Sequence, residues 1–136
     1  MLRRLVYPPL LGALESSVQD HLWEHGSGTA KSVHAALGRR RGIAVNTVQS
    51  TLKRLFDKGL LTRKKVSHAH VYQPRIKRTE FQRGVLAQLI EELMGGRVDD
   101  TVSVFVELVE RAGPKHLEHL EKLVRARRTA LRRSRP

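Results

Sequence analysis

The sequence predicts a mainly α-helical chain with one small β-hairpin wing. Three observations carry that reading. Apolar residues recur at spacings of three and four through most of the chain, the signature of amphipathic helices. Strand-like patterning appears in one place only, around 61–73, on either side of a polar turn. Glycines and prolines fall between these segments and punctuate them. At 136 residues the chain is one domain, or one small domain with an appended module.

The first helix is predicted from Leu11 to His25, where Leu11, Leu14, Val18, Leu22 and Trp23 form one stripe. Glu15 suits its positive N-terminal end and Gly26 its stop. Thr29 is placed to cap a second helix with Val33, Ala36 and Leu37 inward. Gly38 and Gly42 bracket three arginines, 39–41, as a flexible basic loop. A third helix runs over 45–58 with Val48, Leu52, Leu55 and Phe56 inward. Its start is open: Asn46 with Gln49 fits a capping box, and Ala44 fits as the last residue outside. Gly59 ends it. Residues 60–63 open a strand, 66–70 turn, and Val71 and Tyr72 form a second strand before Pro74. Three helices followed by a hairpin is the order of a winged helix-turn-helix.

Beyond Pro74 the character changes. Phe81, Val85, Leu86, Leu89, Ile90, Leu93 and Met94 form a wide helical stripe, which Gly95 and Gly96 interrupt. Val102, Phe105, Val106 and Val109 form the next. Gly113 and Pro114 interrupt again before Leu117, Leu120, Leu123 and Val124. So short a segment cannot bury three such stripes in itself, and a two-fold homodimer is the natural solution. The expected organisation is a winged-helix DNA-binding domain over 10–76, a three-helix dimerisation module over 77–126, and a disordered Arg-rich tail over 127–136.

Charge agrees with that division. The formal net charge is +13. Residues 1–75 hold 13 basic and 4 acidic side chains, 76–124 hold 7 and 9, and 125–136 hold six arginines and no acid. Segregated positive charge points to nucleic acid more than to solubility alone. There is no cysteine, which excludes disulfides, thiolate zinc sites and cysteine nucleophiles and suits a reducing cytoplasm. No apolar run is long enough to span a membrane. Pro8 and Pro9 cut the apolar start, against a signal peptide. Phosphate loops, HExxH and GxSxG are absent, so no enzyme and no cofactor is expected. His21 with His25, and His116 with His119, have ligand-like spacing but no obvious third ligand, so no metal site is expected.

The sharpest chemistry lies on the third helix. With its apolar stripe inward, Asn46, Thr47, Gln49, Ser50, Lys53 and Arg54 face outward, and Asp57 at the end is the one acid. Amides pair with adenine edges, Thr methyls meet thymine methyls, and Lys and Arg reach guanine or phosphate. Lys31 on the second helix and Arg63, Lys64, Lys65 and His68 on the hairpin are candidates for phosphate, which sets position rather than sequence.

The run LGALESSVQDHLWEHG resembles the opening helix of the penicillinase-repressor (BlaI/MecI/CopY) family of winged-helix transcriptional repressors. NTVQSTLKRLFDKGLL resembles its recognition helix and turn into the wing, HVYQPR its second wing strand, and LIEELMGG with SVFVELVE its dimerisation region. The resemblance spans about residues 10–125. It implies a homodimer on an operator dyad of double-stranded DNA, with helix 45–58 in the major groove and the 61–73 hairpin on the backbone. Thr47, Gln49 and Ser50 would be the leading base readers. Leu86, Leu89, Ile90, Leu93, Val102, Phe105, Val106, Val109, Leu117, Leu120 and Leu123 would make the dimer. The chain departs from the family pattern in three ways. It lacks the cysteine hook of the copper-responsive branch. Val104-Phe105 stands where the antibiotic-responsive branch is cleaved at Asn-Phe. Its recognition helix also carries its own combination of polar residues. The competing reading is an architectural, nucleoid-type DNA binder without sequence preference.

Overall fold

The computed structural model describes residues 11–94 and 97–135. The expectations attached to Pro8 and Pro9, and to Gly95 and Gly96, lie outside the described residues. Among the described residues six helices and one hairpin follow in the order α1 (Ala13–His25), α2 (Ala30–Val33), α3 (Val45–Asp57), β1 (Leu61–Val66), β2 (Ala69–Pro74), α4 (Arg78–Met94), α5 (Val98–Ala112) and α6 (Pro114–Arg133). A π-helical turn, His34–Gly38, continues α2. The chain divides into two compact units, the first ending at Gln88 and the second beginning at Leu89.

In the first unit, α1 and α3 meet through the residues their spacing marks. Val18 and Leu22 from α1, Val33 from α2, Val48, Leu52 and Leu55 from α3, and Leu60, Leu61 and Tyr72 from the hairpin are all buried together. These side chains are aliphatic apart from Tyr72, so the core is held by burial of branched hydrocarbon. Leu14, Leu37, Ile43, Phe56, Ile76 and Phe81 pack around it. Ala36, expected inward, is exposed on the π-turn.

The caps explain the helix ends. Gly26 closes α1 at φ 86°, a conformation that a side chain would strain, and its N–H bonds the Leu22 carbonyl. Thr29 caps α2 in a reciprocal box with Ser32: the Ser32 N–H reaches Thr29 Oγ1 at 3.1 Å and the Thr29 N–H reaches Ser32 Oγ at 2.9 Å. For α3 the N-cap is Ala44, so Asn46 lies within the helix and forms no cap. Helix α3 ends at Asp57 with Lys58 as its cap, one residue short of the expected end.

β1 and β2 pair antiparallel from Leu61 opposite Pro74 to Val66 opposite Ala69. The turn is therefore two residues, Ser67 and His68, tighter than the expected 66–70. Ser67 adopts φ 58°, as the first position of a tight primed hairpin turn requires. Gly28 adds a further rung: its N–H bonds the Tyr72 carbonyl at 2.9 Å and the Tyr72 N–H bonds its carbonyl at 2.8 Å.

The expected boundary at 76/77 does not coincide with the division at Gln88. The start of α4 is held to α1. Trp23 donates its indole N–H to the Ile76 carbonyl at 2.9 Å and packs against Phe81. Arg78 lies over the Trp23 ring and pairs with Asp20 at 3.4 Å.

In the second unit, α5 and α6 bury none of their residues. The Arg-rich tail is a correction to expectation. Helix α6 runs on through Arg133 instead of fraying after residue 126. Arg, Ala and Leu are strong helix formers, Glu121 pairs with Arg125 at 2.7 Å, and arginines suit the negative C-terminal end. Among the described residues no helix is long and apolar enough to cross a membrane.

Candidate nucleic-acid interface

Helix α3 presents one face to the core and one to solvent. Val48, Thr51, Leu52 and Leu55 are buried, and Asn46, Thr47, Gln49, Ser50, Lys53 and Arg54 are exposed. The expected polar face thus exists as a continuous surface. Two hydroxyls on α3 are tied down: Ser50 Oγ donates to the Asn46 carbonyl at 2.9 Å and Thr51 Oγ1 to the Thr47 carbonyl at 2.8 Å. Ser50 keeps its acceptor lone pairs outward, whereas the Asn46 and Gln49 amides offer both donor and acceptor.

The basic residues are not equivalent. Lys53 reaches Asp57 at 3.2 Å in an exposed pair, which costs little to open. Arg54 donates to Thr51 Oγ1 at 3.2 Å. On the hairpin, Lys64, Lys65 and His68 are exposed, whereas Arg63 lies with its guanidinium 4.1 Å over the Phe56 ring and is half-buried. Arg63 therefore joins the wing to α3, a packing role its sequence position did not reveal. Lys31 is exposed on α2.

Two contacts that sequence patterning did not reveal fix α3. His34 donates from Nε2 to the Ile43 carbonyl at 2.7 Å, pinning the connection between α2 and α3. Its ring lies so close to Gly38 that a Cβ there would collide with it. The arginine loop is a hydrogen-bonded turn, with the Ile43 N–H on the Gly38 carbonyl and Arg41 reaching Ser17 Oγ at 3.3 Å. At the other end of α3, Lys58 bonds Glu15 of α1 at 2.6 Å. That hydrogen bond holds the Glu15 carboxyl below the ordinary value. Neither partner was legible, because His34 uses a backbone carbonyl and Glu15 a lysine 43 residues away.

His21 and His25 stack with ring centroids 4.1 Å apart, and His25 Nδ1 donates to the His21 carbonyl. Burial first, and the neighbouring His25 second, lower the His21 pKa below the usual histidine value. Among the described residues no three His, Asp or Glu side chains converge as a metal site.

The residues expected to pair two chains lie on exposed helix faces. Leu86, Leu89, Ile90 and Leu93 on α4, Val102, Phe105 and Val106 on α5 and Leu123 on α6 are exposed, and Leu93 reaches 69%. Val109, Leu117 and Leu120 are half-buried. Val104 and Phe105 are in the middle of α5 and exposed.

Residues 11–126 match the model of the penicillinase repressor family. The transcriptional regulator BlaI of Mycobacterium tuberculosis is 34% identical over 116 residues, covering 82% of this chain and 80% of that protein. The penicillinase repressor of Bacillus licheniformis is 25% identical over 105 residues, covering 77% and 82%. A solution structure of the DNA-binding domain of the repressor BlaI is 29% identical, covers 53% of this chain and 88% of that one, and superposes with a TM-score of 0.48. The family match takes in the winged helix, α4, α5 and α6 up to Ala126, and with it this chain belongs to the penicillinase repressor family.

Proposed function

We propose that the protein is a homodimeric repressor that binds an inverted-repeat operator in double-stranded DNA through α3. The observation that carries this reading is the exposed face of α3, polar and free of acid from Asn46 to Arg54, on a helix braced at both ends by His34 and the Glu15–Lys58 pair. In the major groove Thr47, Gln49 and Ser50 read base edges with Asn46 beside them, and Lys53 and Arg54 hold guanine or phosphate. Lys64, Lys65 and His68 on the wing, Lys31 on α2, and Arg63 once it leaves Phe56, bind the backbone and set register. Each duplex half-site takes one winged helix. The exposed apolar faces of α4, α5 and α6 supply the pairing surface, since faces of this size are costly to leave in water.

The test is recovery and sequencing of sheared genomic DNA by the purified protein at about 0.15 M salt, where long-range attraction is largely screened. Enrichment of a few sites sharing an inverted repeat is expected. Uniform recovery of all fragments would overturn the reading in favour of an architectural binder.

A further inference from the structure

The last turns of α6 carry a charge that the winged helix does not account for. Arg125, Arg127, Arg128, Arg132, Arg133 and Arg135 fall within eleven residues, with no acid after Glu121. The segment is helical through Arg133, and every side chain from 121 to 135 is exposed. Arg125 is held by Glu121, but among the described residues none of the other five forms an ion pair. The family match ends at Ala126, so nearly all of this charge lies beyond the matched residues.

Geometry gathers the charge. Arg125, Arg128 and Arg132 stand at three- and four-residue spacing on one face, Arg133 lies about 80° to one side of Arg125, and Arg127 lies about 100° beyond Arg128 on the other side. From Arg125 to Arg132 the helix rises about 10 Å, and a duplex strand presents a phosphate about every 3.4 Å of its axis. Like-charged side chains packed this closely repel, and a polyanion relieves that repulsion.

We propose that the arginine face of α6 is a second nucleic-acid surface, one that grips duplex phosphates without reading sequence. The use of arginine throughout, with no lysine beyond Lys122, favours phosphate, which the planar guanidinium fork binds with two parallel hydrogen bonds. A membrane surface fits worse. An interfacial helix needs a free apolar face opposite its charges, and the apolar residues of α6 before Arg125, among them Leu123, belong to the proposed pairing surface, which leaves Leu131 as the sole large apolar side chain from residue 125 onward. This surface rests on the DNA-binding reading of the whole protein and adds a distinct contribution to it.

The test compares the full chain with a variant carrying Arg127→Gln, Arg128→Gln, Arg132→Gln and Arg133→Gln. Glutamine preserves helix propensity, and circular dichroism checks that α6 survives. Affinity for a random-sequence duplex is measured across a salt series. Each phosphate contact adds about 0.9 to the slope of log affinity against log salt. The variant is expected to lose about 2 or more from that slope and to bind random DNA at least tenfold more weakly near 0.1 M salt, while its preference ratio for a specific site is unchanged. An unchanged slope overturns the proposal. So does retention of the full chain on anionic phospholipid vesicles, lost in the variant while DNA binding stays the same. Failure here is distinct from failure of the α3 reading, because Gln49→Ala removes sequence preference and leaves this slope intact.

Discussion

The carboxylate of Glu15 and the ammonium of Lys58 lie 2.6 Å apart, tying the first turn of α1 to the C-terminal cap of α3. The two side chains are 14% and 32% exposed, so the pair is sheltered without being buried. The hydrogen bond from Lys58 lowers the Glu15 pKa, which means the folded state prefers the carboxylate. The stabilisation is therefore complete above the carboxyl's unfolded value and lost as pH falls through its lower folded value. Glu15→Gln is expected to cost about 1 kcal/mol at neutral pH. In urea titrations that difference should shrink toward zero well below the ordinary carboxylate pKa. A difference independent of pH would show that the side chain acts through packing alone.

Gln19 is fully buried on α1, and among the described residues neither of its amide atoms has a hydrogen-bond partner. An unpaired buried amide costs about 1–3 kcal/mol. Gln19→Met keeps the length and removes the polar atoms, so it is expected to stabilise the fold by about 1 kcal/mol. For a domain of this size that is a rise in Tm of about 4–8 °C. A fall in Tm would show that the amide is paired in solution, through water or a rearranged neighbour.

Gly38 leaves room for the His34 ring, whose Nε2 holds the Ile43 carbonyl ahead of α3. Gly38→Ala would push the ring away and is expected to cost about 2 kcal/mol, from the collision and the lost hydrogen bond together. Removing the ring removes the collision. The double variant Gly38→Ala with His34→Ala should therefore cost less than the sum of the singles. Strict additivity in chemical denaturation would refute a direct contact.

The apolar spacing of Leu14, Val18, Leu22, Val48, Leu52 and Leu55 was enough to place α1 and α3 and most of the core, because helical period and burial are the same fact seen twice. Thr29 was legible as a cap because its chemistry is local. Contacts between distant residues were not. Arg63 is legible as a cation on the wing, but its stacking on Phe56 is not, since sequence shows charge but not the ring that will lie beneath it. Pro74 marks a break in periodicity, but the sequence does not show that Phe81 and Arg78, beyond it, are held to Trp23 and Asp20 of α1. The tail was misjudged from its composition: an arginine run resembles a disordered arm, but with Glu121, Ala126 and Ala130 in step it sustains a helix.

Gln49 lies in the middle of the exposed face of α3. If its amide reads a base edge, Gln49→Ala is expected to cost about 1–3 kcal/mol on the preferred site and almost nothing on random duplex. Competition binding with both duplexes at one salt concentration checks this. Equal loss on both would assign Gln49 to the backbone, and no loss on either would move base readout to Asn46, Thr47 and Ser50.

Leu89 belongs to the proposed pairing surface, where it is partly exposed beside Ile90 on α4. In an isolated chain an aspartate there would sit in water at little cost. In a dimer seam it would bring an unpaired charge into apolar surroundings, at several kcal/mol per site and twice per dimer. Leu89→Asp is therefore expected to leave the melting of the winged helix nearly unchanged while light scattering reports half the parent mass. Operator affinity should fall by a factor on the order of 10²–10⁴, because two linked half-site contacts become two independent ones. Binding to a single isolated half-site should be almost unaffected. A variant that keeps the parent mass would place the seam on the faces of α5 and α6 that carry Phe105 and Leu123, and the equivalent substitution Phe105→Asp would then give the monomer.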